Sequence, residues 1–154
     1  MAKAVIKMPE EFLLKVSKLS NKTDEIIEKT LKVGGKIVLS TVKSNLQSAI
    51  GKNLKYEGRS TGELVSSLGV SHVDIDNKGV HNVKVGFNEP RRNQYVAKKK
   101  RSYYTITNAM IANVIEYGKS GQLPKPFLKP SKNRSRKPCI EAMKVALESE
   151  MENI

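Results

Sequence analysis

The residues best suited to chemistry with a partner form a basic segment in the second half of the chain. Between Pro90 and Tyr104 the sequence contains no acidic residue, and tyrosines are interleaved with cations. The basic residues are Arg91, Arg92, Lys98, Lys99, Lys100 and Arg101. Cations in such a run can neutralise successive phosphates, and aromatic rings between them can stack on bases. The segment is therefore a candidate contact for nucleic acid, although a solvated loop has the same composition.

A second basic cluster begins the last predicted helix, and acids end that helix. The cluster contains Lys132, Arg134, Arg136 and Lys137, whereas the C-terminal end carries Glu148, Glu150 and Glu152. Cations at the start and anions at the end are the reverse of what a helix dipole favours. No contact within the helix explains this order. A contact between the basic end of one subunit and the acidic end of its neighbour is one explanation.

The net charge of the chain agrees with both clusters. With 28 lysines and arginines against 15 acids, the formal charge is +13. A large positive charge favours solubility and contact with polyanions, and it says little about the fold. The charge leaves open whether the basic residues meet nucleic acid, an acidic protein surface or only solvent.

Residues that usually carry catalysis or bind metals are few and scattered. His72 and His81 are the only histidines, and we interpret them as ordinary strand residues on either side of a turn. Cys139 is the only cysteine, so no internal disulfide forms, and we expect its thiol to be packed in a helix in a reducing cytoplasm. No phosphate-binding glycine loop, zinc spacing or serine–histidine–aspartate arrangement is present. The sequence predicts no catalytic, cofactor-binding or metal-binding residue, and a protein that is not an enzyme.

Hydrophobic periodicity predicts a single α+β domain over residues 1–154. After a short helix that starts near Pro9, the longest helix follows with Thr23 or Asp24 as its predicted cap, and it ends near Gly51. A Gly-Gly pair at 34–35 lies in its middle, either as a tolerated weak point or as a kink or close helix crossing. No signal-peptide pattern opens the chain, and no apolar run approaches the roughly 20 residues of a membrane helix. We therefore expect a soluble protein.

The middle of the chain changes from helical to alternating periodicity. A short helix is predicted over 61–68, with Ser60 or Thr61 as its cap. The β-rich runs 70–76 and 80–87 flank an Asn-Lys-Gly turn, which predicts an antiparallel hairpin. The basic segment follows as a loop inserted at about 88–104.

Two further helices complete the predicted domain, with the small antiparallel sheet packed against the helices. The first spans Thr105 to Tyr117 and the second starts near Ser135. The predicted apolar face of the first consists of Ile106, Met110, Ile111, Val114 and Ile115. The predicted buried side of the second consists of Ile140, Met143, Val145, Ala146 and Leu147.

A proline-rich corner joins these two helices. Its residues are Glu116, Tyr117, Gly118, Pro124, Pro126, Phe127, Leu128 and Pro130. Gly118 suits the positive φ that often ends a helix, and each proline fixes φ and extends the residue before it. The corner is therefore stiff, and we expect Phe127 and Leu128 to pack in the core or beneath a neighbouring subunit.

Two blocks of the sequence resemble a family of small neck proteins of tailed bacteriophages, which act in head–tail joining or tail completion. One block is the corner with the helix before it. The other contains Thr61, Gly62 and Leu64 and leads into the hairpin, with Leu68 where the family usually has isoleucine. An upstream proline and a Tyr-Ala pair common in the family are missing here. The order of elements also agrees, over about residues 20–150.

The resemblance implies a structural role in the virion. Family members are similar in outline to tail-terminator proteins, which are α+β subunits of hexameric rings around the DNA channel. It implies a ring subunit in the neck or at the head-proximal tail end, made in the bacterial cytoplasm, with a hexamer favoured over a dodecamer. Connector, stopper, tail-tube or sheath proteins would be its partners, with non-specific contact to channel DNA, no membrane and no cofactor. The alternative from composition is a basic nucleic-acid-binding protein that acts as a monomer or dimer.

Overall fold

A computed structural model describes residues 22–51, 61–91, 96–99 and 102–152, and it has the α+β architecture that the sequence predicts. In chain order the elements are α1 (Thr23–Ala49), α2 (Glu63–Ser66), β1 (Leu68–Val70), β2 (Asp74–Ile75), β3 (His81–Asn82), β4 (Val85–Phe87), β5 (Val96–Lys99), β6 (Ser102–Thr105), α3 (Asn108–Tyr117) and α4 (Leu128–Glu152). The helix predicted near Pro9 and the segment 52–60 lie outside the described residues.

The core is built where α1 packs antiparallel on α4. The buried side of α1 repeats every three or four residues, as an amphipathic helix requires. The buried row of α4 repeats every four residues: Ser131, Ser135, Cys139, Met143 and Leu147. Asn45 Nδ2 donates to Ser131 Oγ at 2.8 Å, whereas Lys29 Nζ lies 2.8 Å from Glu150 Oε2. The end of α1 therefore meets the start of α4, and the start of α1 meets its end.

The glycine pair in α1 is a close crossing. A Cβ atom at Gly34 would lie 2.7 Å from Met143 Sδ and 3.1 Å from Cys139 Sγ, and the Cys139 thiol donates to the Gly34 carbonyl at 3.5 Å. A Cβ at Gly35 would lie 2.9 Å from Val70 Cγ1 in β1. The interpretation of the pair as a close crossing is confirmed. Because Gly34 has no side chain, α4 can approach α1, and because Gly35 has none, the sheet can approach from another side.

We expect Gly34→Val to lower the free energy of unfolding by about 1–3 kcal/mol, because the added methyl groups overpack the contact with α4. Urea denaturation monitored by circular dichroism measures the change. Ser40→Val is the matched control, since it adds the same side chain at an exposed position of α1. Equal stabilities for the two variants would contradict a close crossing at Gly34.

The predicted hairpin is confirmed, with an interruption on each strand. β2 pairs antiparallel with β3, with Ile75 opposite His81. Nearer the base of the hairpin, β1 pairs antiparallel with β4, with Leu68 opposite Phe87. The buried Leu68 and Val83 face the core, so the hairpin covers α1 on the side that α4 leaves open.

The basic segment is a second hairpin where the sequence predicts a loop. β5 and β6 are antiparallel, with Val96 opposite Thr105 and Lys99 opposite Ser102. Strand-forming valine, tyrosine and threonine residues flank the run of cations here, and this tendency outweighs the loop-like charge density. Lys98 and Lys99 are therefore strand residues.

Helix α3 is shorter than predicted, and the centre of its buried face lies beside the predicted one. It begins at Asn108, and Thr107 Oγ1 caps it by accepting a hydrogen bond from Met110 N at 3.1 Å. The fully buried row is Asn108, Ala112 and Glu116, of which two are polar, so apolar spacing did not reveal it. Ile111 and Ile115 of the predicted face are partly buried against the core, whereas Met110 is 41% exposed.

Helix α4 begins at Leu128, seven residues before the predicted start near Ser135. Pro130 lies in the first turn, where a missing N–H costs nothing because no helical carbonyl precedes it. The prediction treated this proline as part of the corner and so placed the start too late. Val145 was predicted to be buried but is 64% exposed, because the four-residue row from Ser131 to Leu147 is the one that packs on α1.

Candidate interaction surfaces

Glu116 caps helix α4 from the end of helix α3. Its Oε2 accepts hydrogen bonds from Phe127 N at 2.7 Å and Leu128 N at 2.8 Å, and its Oε1 accepts one from Lys129 N at 3.2 Å. The side chain is only 6% exposed. The first N–H groups of a helix lack acceptors within the helix, and a carboxylate there also interacts favourably with the helix dipole. The anion that the start of α4 lacks in its own sequence is thus supplied by α3.

The turn between Glu116 and the prolines has a rigid backbone. Lys119 and Gln122 exchange two backbone hydrogen bonds, at 3.0 and 2.9 Å, and Lys125 N donates to Ile115 O at 2.7 Å. Gly118 has φ 76° and ψ −178°, and a Cβ there would lie 2.7 Å from Gln122 O. This conformation is essentially restricted to glycine, so the predicted need for glycine is confirmed.

Phe127 anchors the corner in the core, as predicted. Its side chain is fully buried, and its ring meets Phe87 of β4 edge to face, with the ring centres 6.4 Å apart and an angle of 73°. Leu128 is partly buried and packs against the same core. Phe127 thus joins the corner to the first hairpin.

A similar long-range cap fixes α3. Glu89 Oε1, just after the first hairpin, accepts a hydrogen bond from Ala109 N at 2.9 Å, and Asn108 Nδ2 donates to Asn88 O at 2.9 Å. The hairpin therefore positions the start of α3, and the end of α3 positions the start of α4. The sequence analysis did not identify Glu89 and Asn108 as capping residues. A glutamate at a distance before a helix start is common in protein sequences, so its presence alone does not indicate a cap.

The block around Thr61 forms the short helix α2. The N-cap position is occupied by Gly62, with φ 72°, so the prediction of Ser60 or Thr61 as the cap is wrong; Thr61 Oγ1 lies 3.4 Å from Glu63 N. Leu64 is buried and holds α2 against the core. Arg91 is 9% exposed, and its Nε lies 3.4 Å from Glu63 Oε2. Arg91, a sequence candidate for contact with DNA or a partner, instead links the end of the hairpin to α2 inside the subunit.

The basic cluster of α4 is presented to solvent. Exposed cations in the first ten residues of the helix are Lys129, Lys132, Arg134, Arg136 and Lys137. None of the ion pairs formed within the described part of the chain involves them. Lys98 and Lys99 lie in β5, and Arg92, Lys100 and Arg101 lie outside the described residues. Among the exposed basic residues that the sequence identifies as candidate contacts for DNA or a partner, the structure therefore gives side-chain positions for Lys132, Arg134 and Arg136.

The acidic end of α4 has a partner within the same chain. Glu150 pairs with Lys29 of α1, and this hydrogen bond, helped by the attraction of opposite charges, raises the pKa of Lys29. Exposed pairs of this kind contribute little to stability. The contact nevertheless explains one acid at a helix end that the dipole disfavours, and it needs no neighbouring subunit.

The scarce candidates for chemistry form no catalytic or metal site among the residues described. His81 lies in β3, with Nε2 3.4 Å from Asp24 Oδ1, whereas exposed His72 lies between strands β1 and β2. Cys139 is buried in α4, as predicted, and burial raises the pKa of its thiol. Within the described ranges no cluster of three potential metal ligands occurs, and none of their helices is long and apolar enough to cross a membrane.

The fold is that of a small α+β protein in which carboxylates from one element cap helices of another. Over residues 10–118 the chain matches the family described as "Bacteriophage HK97-gp10, putative tail-component". This is more than half of the chain, so the protein belongs to that family of phage tail components. No curated protein and no solved structure gives a significant match. The match ends at Gly118, so the Pro-Phe-Leu part of the corner lies beyond it.

Proposed function

We propose that this phage tail component is a ring subunit in the neck or at the head-proximal end of the tail, where it joins head to tail around the DNA channel. The observation that carries the proposal is the family match over residues 10–118. A hexamer is the favoured ring, with a dodecamer as the alternative. Its neighbours are connector or stopper proteins on one side and tail-tube or sheath proteins on the other.

The architecture supports a static structural role. Both long-range caps use carboxylates to lock helix starts, and the corner carries reciprocal backbone hydrogen bonds. Among the residues that the structure describes, Lys43 is the only titratable one that lines the groove between α1 and α2, which has a volume of about 370 Å³. A rigid subunit with convergent caps suits assembly, whereas catalysis needs convergent reactive groups.

The exposed cations of α4 favour contact with an anionic partner. Lys129 lies in the first turn of α4, where a cation disfavours the helix by a few tenths of a kcal/mol because it faces the positive end of the dipole. Glu116 offsets part of this cost from outside the helix. In the proposed ring, this surface faces DNA in the channel or an acidic surface of the neighbouring ring.

Electron microscopy tests the ring directly. The purified full chain, mixed with the neck and tail proteins of the same phage, should form closed rings with a central hole. Phage that lack this protein should accumulate separate heads and tails, and the full chain supplied in trans should restore joining. Normal joining in its absence would contradict the proposal.

The same charges support a second candidate, a nucleic-acid-binding protein that acts as a monomer or dimer. The affinity and sequence selectivity of duplex binding by the isolated chain separate the two. Under the ring proposal, the isolated chain binds duplex DNA weakly and without sequence preference. Tight, sequence-selective binding by the isolated chain would instead favour the second candidate.

We expect the triple variant Lys132→Gln, Arg134→Gln and Arg136→Gln to impair head–tail joining and to flatten the salt dependence of its weak duplex binding. Each lost phosphate contact lowers the slope of log K against log salt by about 0.9. Glutamine keeps the helix propensity. The control replaces Lys36, Lys43 and Lys144 by glutamine, which removes the same charge from exposed positions elsewhere. If both triple variants joined heads to tails equally well, joining would depend on the total charge of the chain and not on the position of the cations in α4.

A further inference from the structure

Four cations and one asparagine form a continuous stripe along the exposed side of the first half of helix α4. Residues that are three, four, seven and eight positions apart lie on one face of a helix. The stripe, here called the α4 stripe, consists of exposed residues only: Lys129, Lys132, Asn133, Arg136 and Lys137. Arg134 lies outside it, because it shares another row of the helix with Pro130 and Pro138, four residues before and after it. The helix therefore separates Arg134 from the other cations of the basic cluster.

The subunit provides no acidic partner for the α4 stripe. Residues 117–140 contain seven basic residues and no acid. None of the ion pairs within the described ranges involves a cation of the stripe. The acid that precedes this stretch, Glu116, is 6% exposed and already accepts hydrogen bonds from the backbone of residues 127–129. The charge of the stripe is therefore available to a partner.

The backbone at the start of α4 is already hydrogen-bonded, so an anion there would meet side chains. Glu116 accepts from the first three amides, Pro130 has no N–H, and Ser131 N donates to Phe127 O at 3.3 Å. The usual anion site at a helix start is thus filled from within the subunit. Binding of a further anion would depend on the lysines and the arginine of the stripe.

The composition of the α4 stripe favours nucleic acid over a protein surface. It contains no aliphatic or aromatic side chain. Protein–protein interfaces have an apolar core and are depleted in lysine, whereas interfaces with DNA are more polar and much more positively charged. From Lys129 to Lys137 the stripe extends about 12 Å along the helix, which presents its charges in a line. A line of cations without an apolar centre fits the phosphate backbone of a duplex.

The charges of the subunit are also separated along the pair of long helices. The segments 22–32 and 148–152 meet where Lys29 pairs with Glu150, and together they contain six acids and three lysines. The α4 stripe lies toward the other end, with Lys132 about 30 Å from Glu152 along α4. A polyanion is therefore attracted to the start of α4 and repelled by its end, which orients the subunit. A duplex, with one charge per about 1.7 Å of axis, complements the stripe better than an acidic end that contains three lysines.

We propose that the α4 stripe binds the phosphate backbone of duplex DNA and that Arg134 takes no part in this contact. The inference rests on the proposed ring and deepens it, because it selects channel DNA, and not an acidic neighbouring ring, as the partner of the start of α4. Contacts to phosphates carry no sequence information. The stripe therefore holds DNA of any sequence.

Two triple variants of the full chain with matched composition test the position of the contact. The stripe variant carries Lys129→Gln, Lys132→Gln and Arg136→Gln, and the control carries Lys36→Gln, Lys43→Gln and Arg134→Gln, all at exposed positions. Fluorescence anisotropy with a labelled random-sequence duplex gives the slope of log K against log salt. We expect the stripe variant to lower this slope by about 2–3, at about 0.9 per lost contact, and the control to keep the parent slope. Equal slopes for the two variants would overturn the inference.

Unfolding does not explain a loss of binding by the stripe variant. Removal of cations from the start of a helix does not disfavour that helix. Both triple variants should therefore keep the melting temperature of the parent, which circular dichroism measures.

DNA cleavage from a tethered reagent locates the contact directly. An iron chelate that generates hydroxyl radicals is attached to an Asn133→Cys chain, at the centre of the stripe, and the chain is mixed with duplex. The control is Val145→Cys, which is 64% exposed and lies three helical turns further along the same row of α4. Cys139 is 2% exposed and stays unlabelled. We expect cleavage from position 133 and little from 145, and equal cleavage from both positions would contradict the proposal.

Head–tail joining by the same variants separates this inference from the proposed function. If the stripe variant fails in joining but keeps the parent salt slope, the partner of the stripe is an acidic protein surface. The inference is then wrong, and the proposed function stands. If heads and tails join normally without the chain, the proposed function itself fails, whatever the slopes show.

Discussion

Replacement of Phe127 by alanine is expected to lower the free energy of unfolding by about 3–5 kcal/mol. The side chain is fully buried, so its removal loses the transfer energy of the ring and leaves a cavity between the corner and β4. Part of this loss comes from the edge-to-face contact with Phe87, because aromatic pairs of this kind typically contribute about 0.5–1.5 kcal/mol. Chemical denaturation at several protein concentrations would measure the loss for the folded subunit.

The matched control for this variant is Leu123→Ala in the same corner. Leu123 is 83% exposed, so its truncation should change stability by less than about 0.5 kcal/mol. A double variant with Phe87→Leu should be less destabilised than the sum of the single changes, because the aromatic contact can be lost only once. A Phe127→Ala protein as stable as the Leu123→Ala control would contradict the role of Phe127 as the anchor of the corner.

Replacement of Glu116 by glutamine should destabilise the protein by about 2–3 kcal/mol, although the side chain keeps its shape. The amide retains one oxygen, but its NH₂ group would face backbone N–H groups that in the parent protein donate hydrogen bonds to the carboxylate. Hydrogen bonds to charged groups contribute about 1.5–3 kcal/mol, and a buried donor without an acceptor adds a further penalty. Denaturation measures the total, and amide hydrogen exchange at Phe127, Leu128 and Lys129 should report earlier opening of the start of α4.

Glu141→Gln is the control, because it makes the same substitution at an exposed position in α4. It should leave both stability and exchange close to those of the parent. If Glu116→Gln also left exchange at the three amides unchanged, the carboxylate would not be the group that caps α4. Loss of stability without a local change in exchange would point to packing instead.

Local chemistry in the sequence determined several elements of this fold, although not the hairpin of the basic segment or the start of α4. Four- and seven-residue spacing of apolar side chains was sufficient to predict α1, because a long helix with one buried face has few alternatives. An Asn-Lys-Gly turn between β-rich runs was sufficient for the first hairpin, and Gly118 and the prolines for the corner. The two sequence blocks also indicated the phage tail family, which the match over residues 10–118 confirms.

Only the tertiary structure decided which face of a helix is buried and which charges are paired. Asn108 and Glu116 are buried because their polar atoms bond to backbone groups brought close by other elements, and no local pattern encodes such partners. Arg91 is withdrawn from the surface for the same reason, since Glu63 meets it from another element. Glu116 lies eleven residues from the first N–H that it binds. The sequence shows Glu116 as part of a motif, but its role as the cap of α4 is visible only in the structure, where the end of α3 meets the start of α4.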